Sequence, residues 1–275
     1  LTGVYHDQFY PAAFTNSIAG AAYVLPDGRT NPGYNLLLDR EFTMREHALM
    51  LENGIQPRIF CHTTNGGELY AYAWTSAILD GEDNMIIANA DYDFVDIHTP
   101  ARMQAYGNPW PWGNTFYWMR LIQEGDKEWR KRQDRAFFGW IYLHDVFNSG
   151  NGVDQSLLPK LLDWGMNGRD VKFWPYWRNA KILGVDSNTV LASMWTSPDR
   201  ALLCLFNTDK KQTVETTVRV PTVDLDLMPS VRSEYTRAFD LETGEAVAFD
   251  GWNGAVTAKV LAHDYRLISI ILYKD

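Results

Sequence analysis

The feature that most limits the fold is a change of texture near residue 175. Before it, short apolar runs alternate with helix-like stretches. After it, strand-like runs follow one another with only turns between them. Strands separated by helices imply a parallel sheet, because a parallel neighbour is reached only through a long crossover. Strands separated by tight turns imply antiparallel pairing. In the first part, Arg40 to Asn53 reads as a helix stopped by Gly54, followed by a buried strand over Pro57 to Cys61. Leu69 to Leu79 reads as a helix. Thr99-Pro100 reads as an N-cap with proline at the first helical position, opening a helix that ends at Gly107. Asp126 to Phe147 is the longest helical candidate, and Asp154 to Trp164 is a shorter one stopped by Gly165.

The second part predicts strands over Lys181 to Val185, Thr189 to Trp195, Ala201 to Asn207, Gln212 to Val220, Ser233 to Asp240, Ala246 to Phe249, Ala255 to Val260 and Tyr265 to Lys274. Ser197-Pro198-Asp199, Glu242-Thr243-Gly244 and Asn253-Gly254 are turn signals between them. This pattern is that of an antiparallel β-sandwich. The expected division is an α/β region at 1–176 and an all-β domain at 177–275, with Trp174, Tyr176 and Trp177 cementing the joint.

Three apolar runs of the first part end in polar clusters: Leu1 to Tyr5 before His6-Asp7-Gln8, Pro57 to Cys61 before His62-Thr63-Thr64-Asn65, and Ala77 to Leu79 before Asp80-Gly81-Glu82-Asp83. Parallel barrels and doubly wound sheets place their chemistry just past the carboxyl ends of their strands. Aromatic residues crowd the nearby loops, notably Tyr5, Phe9 and Tyr10, and Trp110, Trp112, Phe116, Tyr117 and Trp118. Flat rings beside strand-end carboxylates suit stacking on the apolar faces of pyranose sugars.

The bulk numbers narrow the function classes. A net charge of −9 over 275 residues, with no basic stripe, argues against a nucleic-acid backbone as partner. Arg130, Lys131, Arg132 and Arg135 alternate with Glu128 and Asp134, the pattern of a solvated helix face. No apolar run approaches the length that crosses a bilayer. Cys61 and Cys204 sit in apolar runs and read as buried free thiols. No glycine-rich phosphate loop, dinucleotide fingerprint or G-x-S-x-G elbow is present, and no cofactor is expected.

The order of motifs resembles large bacterial glycoside hydrolases with a catalytic (β/α)8-type barrel and a C-terminal β-sandwich. The resemblance is carried by Gly3 to Gln8, by His62 to Asn65 with Leu79 to Glu82, by Asp91 to His98 leading to Pro111-Trp112-Gly113, and by Tyr235 to Gly244 with His263 to Arg266. It implies the C-terminal part of such a barrel followed by an antiparallel sandwich, acting on a carbohydrate. The first part supplies three or four strand–helix units, and a half barrel exposes its inner face and two sheet edges. The expectation is an upstream barrel segment that completes the barrel; the alternatives are a smaller open sheet and a homo-oligomer. Localisation is left open, with a secreted or periplasmic site favoured where an upstream segment carries a signal.

Glycoside hydrolysis needs two carboxyl groups flanking the bond. Asp7, delivered at a strand end, is the first candidate, and the resemblance implies a nucleophile there. Glu82 is the second, because Gly81 allows an unusual backbone turn and the flanking Asp80 and Asp83 favour keeping a proton on it. Tyr5, His62, Asn65, Asp80, Trp110 and Trp112 are the expected sugar-binding residues. His6 points the opposite way from Asp7 and reads as packing between sheet and helix. Asp91, Asp93, Asp96 and His98 form an acidic cluster, but on a strand Asp91 and Asp93 share one face and Asp96 and His98 the other. No zinc spacing is present and no metal is expected. The rival functions are a non-catalytic carbohydrate-binding protein and a metal-dependent hydrolase built on Asp91, Asp93 and His98.

Overall fold

The computed structural model describes residues 3–9, 12–18, 22–34, 36–63, 71–82, 94–107, 113–120, 127–149, 156–220, 237–251 and 253–271. The chain divides into two compact units. The first takes Leu1–Ile87, Pro100–Leu121 and Val146–Asn151, and the second Ala88–Thr99, Ile122–Asp145 and Gly152–Asp275.

The first unit opens with strand β1 (Val4–His6). Two short antiparallel ladders follow, Ala13–Phe14 (β2) with Gly33–Tyr34 (β5) and Tyr23–Val24 (β3) with Thr30–Asn31 (β4). A helix then runs over Leu36–Glu52. Strands β6 (Ile59–His62), β7 (Ala77–Asp80), β8 (Thr115–Trp118) and β9 (Phe147–Asn148) complete a parallel sheet in the order β1-β6-β7-β8-β9. Every pair in it is parallel, and sequence order equals spatial order. The register sets Tyr5 beside Phe60, Phe60 beside Ala77 and Ala77 beside Thr115, so the carboxyl ends lie along one edge.

The two faces of this sheet differ. Ile59, Cys61, Ile78, Phe116 and Trp118 are buried on one face. His6, on that same face, contacts Glu46 of the Leu36–Glu52 helix at 2.7 Å and packs edge-on against Phe42, as the packing reading expects. On the other face the rings of Tyr5, Phe60, Tyr117 and Phe147 form a row, with centroids 5.7, 5.2 and 5.7 Å apart. All four of these residues retain solvent exposure.

The second unit is dominated by two antiparallel sheets. One has the order β10 (Lys172–Trp174), β12 (Val190–Ser197), β13 (Arg200–Asn207), β18 (Tyr265–Ile271), β15 (Arg237–Asp240). The other has the order β11 (Gly184–Val185), β14 (Val214–Arg219), β17 (Ala255–Val260), β16 (Ala248–Asp250). Leu203, Leu205, Ile268 and Ile270 from the first and Val218, Val256, Ala258 and Val260 from the second belong to one core. Strand β13 is buried on both faces, which explains its unbroken apolar run. Its second face meets the helix Lys127–Leu143 at Gly139, where a Cβ would stand 2.6 Å from both Phe206 and Tyr265. The same helix sends Arg135 to Asp264 at 2.7 Å and to both oxygens of Glu242, with its guanidinium over the Tyr265 ring. Arg130, Lys131 and Arg132 are exposed as a solvated face requires, but Arg135 is drawn into this ion-paired cluster instead.

Three local expectations are corrected. The run Leu69 to Leu79 does not form a helix: its described part is a turn at 71–74 and then β7, whose burial between β6 and β8 removes the alternation that marks a strand. The helix expected to reach Phe147 ends at Leu143. Asp145 takes a left-handed φ of 60° and Phe147 enters β9. Of the Asp91 to His98 stretch, the described residues are helical over Phe94–Ile97, and Asp91 and Asp93 lie outside them. Asp96 pairs with Lys210, and His98 is buried with its ring 4.2 Å from that of Phe94. The helix at Pro100–Arg102, continued as a π-helix over Met103–Gly107, begins and ends where the proline and glycine place it.

Asp145 supplies a measurable consequence. It is half-buried and accepts a hydrogen bond from Trp195 Nε1 at 2.8 Å, and the desolvation of its carboxyl pushes it up to about 6. A raised value means that the folded form holds a proton the unfolded chain releases. The stabilisation is full below the ordinary carboxylate range and is lost as pH rises through about 6. Asp145→Asn tolerates the left-handed backbone. In urea melts it is expected to be more stable than wild type at pH 7, by about 3 kcal/mol at most. It is also expected to lose the pH dependence between 4 and 6.

Candidate active site

Four side chains of the first unit meet at the carboxyl ends of β1, β6 and β7. His62 is the last residue of β6 and shares the half-open face with Tyr5. Its Nδ1 lies 2.9 Å from Asp7 Oδ1, just past β1, and 3.0 Å from the Tyr5 hydroxyl. The Tyr5 hydroxyl also donates to Asp7 Oδ1 at 3.3 Å. On the far side of the ring, Nε2 stands 3.5 Å from Glu82 Oε2. That contact is an ion-pair distance and does not meet hydrogen-bond geometry, so Nε2 is buried without a made bond. The His62 side chain is 4% exposed, against 67% for Asp7 and 38% for Glu82. One sealed imidazole is thus flanked by two carboxylates open to solvent.

Backbone features hold these groups. The chain after Asp7 turns through Gln8 in a left-handed conformation, φ 49°, and the Phe9 amide donates to the His62 carbonyl at 2.8 Å. Further bonds from Thr63 N to Leu79 O and from Met119 N to Asp80 O extend the ladder beyond the strand ends. Glu82 reaches His62 only because of Gly81. Strand parity puts Asp80 on the face opposite His62, and Glu82 would follow it. Gly81 instead adopts φ +109°, and any Cβ there would lie 2.3 Å from the Met119 carbonyl oxygen. Asp80, 3% exposed, accepts the Gly81 amide at 2.6 Å and fixes the turn.

The electrostatics follow from the contacts. The hydrogen bond from His62 holds the Asp7 carboxyl below its usual range. Tyr5 is half exposed, yet partial burial together with the Asp7 and Glu82 charges pushes its phenol up to about 12. It is therefore a neutral donor across the physiological range. Asp7 and Glu82 lie against opposite nitrogens of one ring. Among the described residues no group of three or more His, Cys, Asp or Glu side chains is placed to hold a metal ion.

Of the expected sugar-binding residues, Tyr5, His62 and Asp80 are placed as above, while Asn65, Trp110 and Trp112 lie outside the described residues. So do Asp83, Asp91 and Asp93. Arg120, two residues past β8 and 5% exposed, was overlooked by the sequence reading although the strand-end rule reaches it equally. Grooves of about 740 and 540 Å³ are lined by residues of the second unit alone.

The solved structures to which the chain is similar are glycoside hydrolases. A candidate alpha-N-acetylgalactosaminidase of Bacillus halodurans aligns with a TM-score of 0.51 and 11% identity, over 99% of this chain and 75% of that one. An alpha-galactosidase of Mortierella vinacea aligns at 0.48 and 10% identity, over 86% of this chain and 64% of that one. A maltogenic alpha-amylase of Thermotoga neapolitana aligns at 0.47 and 12% identity, over 98% and 77%. No protein-family model and no curated protein sequence matches. At such identities the likeness is one of fold.

The Gly81 turn is open to test. Gly81→Ala forces a Cβ against the Met119 carbonyl at a φ that L-residues avoid, and is expected to cost about 1–3 kcal/mol of stability. Urea melts measure that cost. Unchanged stability would show that the turn carries no strain.

Proposed function

We propose that the chain is a carbohydrate-active hydrolase that cleaves a glycosidic bond with Asp7 and Glu82 as its carboxyl pair. The observation that carries this reading is the His62 ring, which touches a carboxylate on each side at the ends of three neighbouring parallel strands. Glycoside hydrolysis asks for two carboxyls in different protonation states about one bond. Asp7, kept ionised by its hydrogen bond from His62, suits the nucleophile or water-activating role. Glu82, carried on the glycine turn, suits the acid. The half-open ring row of Tyr5, Phe60, Tyr117 and Phe147 offers aromatic surface for sugar faces, its rings tilted by 71°, 56° and 35° from neighbour to neighbour. Asn65, Trp110 and Trp112 are the further sugar contacts in this reading, and Asp80 supports the Glu82 turn.

The finer architecture belongs to the same proposal. The parallel sheet is read as the C-terminal portion of a (β/α)8-type barrel, with its boundary near residue 176. The two antiparallel sheets are read as a β-sandwich, which their common core supports. The fold likeness to glycoside hydrolases supports the class of substrate, a carbohydrate.

A screen of aryl glycosides and polysaccharides tests the function. Wild type is expected to release product. Asp7→Asn and Glu82→Gln are each expected to lower turnover by at least about 10²-fold with an unchanged melting curve. Near-normal rates in either variant would remove that residue from the mechanism. Binding without product in wild type would favour a carbohydrate-binding protein.

A further inference from the structure

We propose that His62 is a positioning residue that assigns the proton of the site to the Glu82 side, rather than a ligand for sugar hydroxyls. The proposal deepens the carboxyl-pair reading and rests on it for its catalytic meaning. The proton placement itself rests on geometry.

A neutral imidazole has one N–H, and an ionised carboxylate only accepts. Nδ1 and Asp7 Oδ1 are 2.9 Å apart, so Nδ1 carries a proton and donates it. The tautomer with Nδ1 accepting from Tyr5 would leave a lone pair facing Asp7 at that distance. Tyr5 instead donates to Asp7. With Nδ1–H committed, two arrangements remain on the other side. Nε2 bears a proton and faces an ionised Glu82, or it is bare and faces a protonated Glu82. A bare Nε2 against an ionised Glu82 would oppose lone pairs at an atom closed to water, and that is costly.

One proton therefore lies either on Nε2 or on Glu82 Oε2, two atoms 3.5 Å apart. Its transfer breaks an N–H bond and makes an O–H bond, turning an imidazolium and a carboxylate into two neutral groups. No other species is needed, and Asp7 remains an ionised acceptor throughout. Among the described residues, Tyr5 and Asp80 are the nearest other titratable groups, and each is engaged elsewhere. Tyr5 donates its one hydroxyl proton to Asp7, and the Asp80 Oδ1 atom faces the Gly81 amide. The ring is also too enclosed to receive a sugar hydroxyl while both of its nitrogens face carboxylates.

Long-range ¹H–¹⁵N correlation spectra of ¹⁵N-histidine-labelled protein, with His62→Gln for assignment, test the placement. Nδ1 of His62 is expected to stay protonated from pH 5 to 9. Glu82→Gln is expected to change the Nε2 signal and leave Nδ1 alone, while Asp7→Asn changes Nδ1. A neutral Nε2–H tautomer, or an Nε2 signal indifferent to Glu82→Gln, overturns the proposal. On a glycoside that wild type hydrolyses, His62→Gln is expected to lower kcat at least about tenfold, keep KM within about twofold, and displace the pH profile of kcat. A raised KM with an unmoved profile makes His62 a sugar ligand and overturns it. If no glycoside is hydrolysed, the function fails, and the spectra still decide the proton placement.

Discussion

Asp7 and His62 stand 55 positions apart in the chain, and Glu82 lies beyond a further strand. Only the in-register parallel ladder of β1, β6 and β7 brings them within a side chain of each other. Parallel strands share a direction, so their carboxyl ends fall on one edge whatever the connections between them. The amides of Phe9, Thr63 and Met119 carry the hydrogen bonding past the last paired residues and keep that edge from fraying. A slip of one residue in β6 would turn His62 to the buried face and leave both carboxylates without their common partner.

Strand-end logic made part of this site legible. Asp7 and His62 each follow an apolar run, and the polar residue after such a run lies at a strand's carboxyl end whether or not the strand's limits are known to the residue. Glu82 was legible through Gly81, since a glycine between two acids signals a turn, but the side to which the turn sends Glu82 was not. Parity alone points it away from His62, and the tertiary obstacle at the Met119 carbonyl is invisible in one dimension. The role of His62 was hidden for the same reason: an isolated histidine says nothing of what faces its two nitrogens.

The fold shows a similar division. The turn signals between the antiparallel strands made most of them readable in position, and Ala255–Val260 coincides with its expected limits, although β10 gave no signal. In the first part, β7 and the end of the long helix were not. Strand β7 has no polar face, so its short apolar run resembled helix. The Lys127–Leu143 helix ends in an apolar stretch that continues toward β9, and nothing periodic marks the stop. The left-handed backbone of Asp145 does so. Arg135 reads as part of a solvated helix face because its partners Glu242 and Asp264 are more than a hundred residues away.

Each compact unit contains one thiol, Cys61 in β6 and Cys204 in β13, and neither has any exposed surface. Burial pushes Cys61 up to about 12 and Cys204 also upward, so the reactive thiolate is scarce in both. A thiol reagent gains access to either sulfur only when the sheet around it opens. The two sulfurs therefore act as separate built-in clocks for local opening, one ticking with the parallel sheet and the other with the antiparallel one.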